Sequence, residues 1–127
     1  MRVNAATRIA VLLVTSLATA GAAIASETFL DGDYGNKDGC AYSKTGESTG
    51  SDNFFLLTNE GITTAASYCS FKGPVTKNGT SFAATISCSA EGESGEAEES
   101  VEILRTRKDY TIAFKDGTRW GPLKKCK

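Results

Sequence analysis

The sequence predicts an all-β fold: a small antiparallel meander of about six to eight strands, barrel or sandwich, stapled by two disulfides after an N-terminal signal peptide. Three observations carry that prediction. Segments with apolar residues at every second position recur through the C-terminal half, and Gly, Asn and Asp dipeptides separate them. No helical period of useful length follows Ala25. Four cysteines at wide spacing in a chain of 127 residues offer the cross-links that a domain with a modest core recruits.

The N-terminus comes first. Met1-Arg2 and Arg8 precede a run without charge from Ile9 to Ile24, and Ala23-Ile24-Ala25 is the small-x-small pattern of a signal-peptidase site. A spanning helix needs roughly 20 predominantly apolar residues, and this run is shorter and diluted with Ala and Thr. The expected organisation is residues 1–25 as signal peptide and 26–127 as one secreted β domain, with no stable membrane insertion after cleavage. The short Ala-rich signal points to a bacterial envelope, so the expected location is periplasmic or secreted.

The mature chain opens with Phe29 to Gly35, a first strand or the entry to one. Lys37 to Asp52, rich in Gly, Ser, Thr and Lys, reads as a loop anchored by Cys40 and Tyr42. Phe54-Phe55-Leu56-Leu57, then Asn59-Glu60-Gly61 and Ile62, reads as strand, turn, strand. Ala65 to Phe71 pairs with the clearest strand of the chain, Thr80 to Ala90, where Phe82, Ala84, Ile86 and Cys88 alternate with small polar residues. Asn78-Gly79 between them suits a type I′ turn. Uninterrupted pairing about that turn sets Cys69 opposite Cys88 and Phe71 opposite Ile86, with Gly73-Pro74 as a bulge or edge. Val101 to Arg105 makes a further strand, and Asp116-Gly117 joins Tyr110 to Phe114 with Thr118 to Gly121 as a last hairpin.

Cys40, Cys69, Cys88 and Cys126 are an even set with no C-x-x-C pair, which in an exported chain indicates two disulfides rather than zinc. Three connectivities are open. Cys40 with Cys69 and Cys88 with Cys126 each close a loop of about thirty to forty residues, for roughly 3–4 kcal/mol of chain entropy, and this pairing is preferred. The hairpin register keeps a Cys69–Cys88 bridge in play.

Composition narrows function mainly by exclusion. Removing residues 1–25 leaves 12 Lys and Arg against 15 Asp and Glu, a net charge of −3, which argues against a nucleic-acid partner. The chain has no histidine, so serine and cysteine triads lack their usual base, and no cofactor or metal motif is present. The expectation is no enzyme and no cofactor.

Two charged regions remain. Glu91, Glu93, Glu96, Glu98, Glu99 and Glu102 put six acids in twelve residues, a solvated hairpin loop that also makes an acidic probe for a basic protein. From Arg105 onward the net charge is +6, enough for cross-strand pairing with Glu98, Glu99 or Glu102, or for a basic patch around Tyr110 and Trp120. Tyr34 and Trp120 are expected to plug the barrel ends.

In layout alone the chain is similar to small periplasmic inhibitors of lysozyme and of secreted proteases, which are compact β domains with one or two disulfides. The acid cluster and the absence of catalytic groups lead to the main expectation, a non-enzymatic binding domain or inhibitor whose Glu91–Glu99 loop meets a basic partner. The alternatives are a carrier with an apolar ligand among Phe54, Leu56, Phe82, Ile86, Ile112 and Phe114, and a structural envelope protein without a ligand.

Overall fold

A computed structural model describes residues 28–127; the signal peptide assigned to 1–25 lies outside the described residues. The elements are β1 (Tyr34–Gly35), α1 (Lys37–Thr45), β2 (Phe55–Leu57), β3 (Gly61–Thr64), β4 (Ser67–Asn78), β5 (Ser81–Ala90), β6 (Ala97–Thr106), β7 (Asp109–Phe114) and β8 (Arg119–Lys125). Each strand pairs antiparallel with the next, and β1 pairs with β8 to close the barrel. Closure leaves no unpaired outer strand in the sheet, which answers the edge problem that an all-β domain of this size faces.

Alternation decides what goes inside. Leu57, Ile62, Cys69, Ile86, Ile103, Ile112 and Leu123 are fully buried, and Phe29, Phe55, Phe71, Phe82, Phe114 and Trp120 pack around them. Tyr34 and Trp120, expected at the barrel ends, pack against the core: Tyr34 meets Tyr110 edge-on at 4.8 Å, and Trp120 lies 4.5 Å from Phe114 and 5.4 Å from Phe55. Phe82, Ile86, Ile112 and Phe114 belong to the interior as anticipated. Phe54 and Leu56 are buried on the other side of the wall: Leu56 shares a row with Thr63 and exposed Tyr68, under α1, whose Tyr42 meets Phe54 edge-on at 5.2 Å.

The long β4–β5 hairpin reaches its expected register by an unexpected route. Cys69 faces Cys88 and Phe71 faces Ile86, yet the turn is Gly79-Thr80, with Asn78 opposite Ser81. Only Gly79 has a positive φ, 65°, which excludes the type I′ turn and fits glycine at the first central position of a II′ turn. The displaced turn shifts the pairing by two places, and the bulge between Lys72 and Thr76, at Gly73-Pro74, shifts it back. The strand therefore continues through Pro74 rather than stopping at Phe71.

Both disulfides form, but the preferred connectivity is overturned. The bridges are Cys69–Cys88, across neighbouring strands with Cα atoms 4.0 Å apart, and Cys40–Cys126, with a sequence separation of 86. Loop entropy alone misjudged the partners because strand register had already placed Cys69 against Cys88.

The second correction is α1, in the segment expected to be loop. Asn36 caps it, accepting the Gly39 N–H at 2.9 Å, and Gly46 closes it in the left-handed region at φ 73°, donating to Tyr42 O at 2.7 Å. The helix escapes periodicity because its buried residue is Gly39. A Cβ there would run into the Phe55 carbonyl, so backbone lies directly on β2. Contact without side chains leaves no apolar stripe to read.

The meander gives the barrel two chemically different ends. Connections 79–80 and 107–108 lie at one, and 91–96 with 115–118 lie at the other. Among the described residues no helix is long and apolar enough to cross a membrane. Two disulfides are the mark of an oxidising, non-cytoplasmic compartment.

Candidate functional site

The acidic run occupies the far end of the β5–β6 hairpin. Glu91 and Glu93 stand in the 91–96 connection, while Glu98 and Glu99 are already in β6, paired with Ser87 and Ile86. The segment is therefore part loop and part strand, and residues 91–100 are all exposed. Glu96 ties the tip to the barrel: the outward-facing Ser87 hydroxyl donates to its carboxylate at 2.7 Å, and Lys72 Nζ lies 4.0 Å away. Ser87 is the one buried polar residue among the described residues, 3 % exposed beneath that carboxylate. The Glu91 N–H donates to Ala66 O at 3.0 Å, fixing where the tip leaves β5.

Pairing of Glu98, Glu99 or Glu102 with the C-terminal bases is not what the barrel does. The ion pairs among the described residues are Lys72–Glu96 and Lys125–Asp31. Register explains the miss. Glu102 stands between Ala83 and Ala113, and the nearest base in that row, Arg119, is a further strand away. This outer row, from Thr76 through Ala83, Glu102 and Ala113 to Arg119, floors an open cleft of about 570 Å³ on the barrel wall.

The opposite end gathers bases. Lys77, Arg105 and Arg107 surround Phe29, Phe82 and Tyr110 in a cleft of about 510 Å³. Beside it, Asp31 accepts from Tyr34 Oη at 2.6 Å and from Lys125 Nζ at 2.9 Å. The Tyr34 hydrogen bond and then Lys125 hold the Asp31 carboxyl below its ordinary value. Burial, then the Asp31 hydrogen bond and charge, push the Tyr34 phenol up to about 12.

No protein family, curated protein or solved structure matches this chain.

The geometry sorts the residues singled out from sequence. Glu91, Glu93 and Glu96 stand in the β5–β6 connection and Glu98 and Glu99 on the first rungs of β6, and Cys40, Cys69, Cys88 and Cys126 are all consumed as disulfides. Among the described residues no three Cys, Asp or Glu side chains converge as metal ligands. The basic cleft was only half visible. Arg105, Arg107 and Tyr110 stood in the C-terminal basic run, whereas Lys77 and Phe29 come from far upstream. The signal that could have found them is topological: in a meander, the turn after β4 and the turn after β6 share an end.

Proposed function

We propose that this protein is a small exported, non-enzymatic binding domain of the bacterial envelope or exterior, acting as an inhibitor or capture module for a basic protein through its Glu91–Glu99 tip. The observation that supports this reading most is the form of the tip. Its carboxylates are exposed, and Glu96 is pinned by Ser87 and Lys72, so the negative cluster projects from a stapled barrel rather than from a free chain. A prepositioned charge cluster steers an oppositely charged partner and loses less entropy on docking.

The missing histidine and the oxidised cysteines support a binding role over catalysis, because the usual bases and thiolate nucleophiles are lacking. The filled interior favours protein capture over carriage of an apolar ligand, since a small barrel packed by its own side chains has no room for one.

Cross-linking in the chain's own export compartment tests the proposal. The unaltered protein captures a basic partner, and replacement of Glu91, Glu93, Glu96, Glu98 and Glu99 by Gln abolishes the capture. Equal capture by both proteins overturns the reading.

A further inference from the structure

The basic cleft has features that folding alone does not require. Lys77 pairs with Phe82 and Arg105 with Tyr110, so both cations occupy the inward-facing parity of their strands, in line with Val101 and Ile103 on β6. Inward positions of a small barrel are ordinarily apolar. Here the last inward residue before each of the two turns is a base standing over an aromatic floor, with Phe29 and Phe82 rings 5.0 Å apart and Phe82 and Tyr110 6.3 Å apart. No acidic residue lines the cleft, and none of the three bases makes an ion pair among the described residues.

Arg105 is held ready. Its guanidinium lies over the Tyr110 ring at 5.5 Å, its Nε donates to Arg107 O at 3.1 Å, and its Nη1 reaches the Tyr110 hydroxyl at 3.4 Å. Arg107 itself stands at φ 60°, the one positive φ outside glycine among the described residues. A two-residue hairpin turn takes Gly or Asn at such a place without strain. The chain instead puts a cation there, beside two others that repel it.

We propose that this mouth is a binding site for a small phosphomonoester that carries a ring: the phosphate is held by Lys77, Arg105 and Arg107, and the ring lies on Phe29 and Phe82. A dianion offsets the repulsion among three bases, and the arginine forks match its oxygens. The half-buried Phe29 and Phe82 rings at the mouth supply the contact that free phosphate cannot use. This site is at the opposite end of the barrel from the acidic tip and stands or falls independently of it.

Titration of the oxidised protein with phenyl phosphate, followed by amide NMR, tests the assignment, with inorganic phosphate and phenol as separate arms. Phenyl phosphate is expected to shift Thr80, Arg105 and Arg107 and to bind more tightly than either fragment. Arg107→Gly relieves the backbone at φ 60° and keeps the turn, so it folds at least as well as the parent, yet it weakens binding about tenfold, the scale of one charge-assisted hydrogen bond. Lys77→Gln weakens it similarly. Equal affinity for inorganic phosphate overturns the role of the rings. Unchanged affinity in Arg107→Gly and Lys77→Gln, or shifts confined to Lys124, Lys125 and Lys127, overturns the site. Binding to vesicles of phosphatidic acid and phosphatidylcholine without binding to phenyl phosphate overturns the small-molecule assignment.

Discussion

Cys40 on α1 and Cys126 just beyond β8 are bonded with their Cα atoms 5.1 Å apart, although they lie 86 positions apart in sequence. The Cys126 N–H also donates to Asp33 O at 2.8 Å. One covalent bond thus ties the helix to the end of the last strand, beside the two-residue β1 that closes the barrel. Chain entropy assigns a bridge of that span about 4–5 kcal/mol. Replacing both cysteines with serine is expected to lower the unfolding free energy by about that amount. Denaturant titration measures it, and an unchanged midpoint would show that β1 closes the barrel unaided.

Gly39 tests the direct seating of α1. In an isolated helix, Gly→Ala stabilises by about 1 kcal/mol. Here the added Cβ meets the Phe55 carbonyl, and the substitution is expected to cost about 2 kcal/mol instead, the scale of overpacking. A gain in stability on thermal melting would mean that the helix can lift off β2 freely.

Tyr34 and Asp31 titrate in opposite directions. The folded chain holds the Tyr34 proton more tightly than the unfolded chain, with a folded value of about 12 against an ordinary 10.0. The stabilisation is therefore full below pH 10 and is lost as pH rises from 10 to 12. Asp31 is depressed, so its contribution is present above the ordinary 3.8 and disappears as pH falls through the lowered folded value. Tyr34→Phe should remove the alkaline loss and weaken the acid one. Denaturation midpoints across pH report both, and parallel curves for parent and variant would refute the coupling.

Ser87→Ala should release the acidic tip. The lost hydrogen bond to Glu96 costs about 1 kcal/mol or less, because that carboxylate can be rehydrated. Amide exchange over residues 91–96 should accelerate while β7 stays protected. Unaltered exchange would mean that Glu91 N–H on Ala66 O suffices to hold the tip.

What could be read from sequence was whatever had a period of two. The strand through Phe82, Ala84, Ile86 and Cys88, its partner at Phe71, and the Asp116-Gly117 connection all stand where alternation and turn residues put them. Contacts made by backbone escaped that reading: α1 docks through Gly39, which shows no apolar face. Charge distribution was legible only as a list. That Glu102 would face alanines, and that Lys77 would join Arg105, depends on register across several strands. The acidic residues were visible as a group because they are contiguous in the chain.

The Gly73-Pro74 bulge has a chemical consequence. With the turn kept at Gly79-Thr80, pairing continued without the bulge would set Cys69 against Ala90 rather than Cys88. The two thiols would then stand two residues out of step on their strands, with nothing to join. A kink with no side-chain function of its own is thus what makes this hairpin oxidisable, and the redox state of the pair is a direct gauge of whether β4 has found its place beside β5.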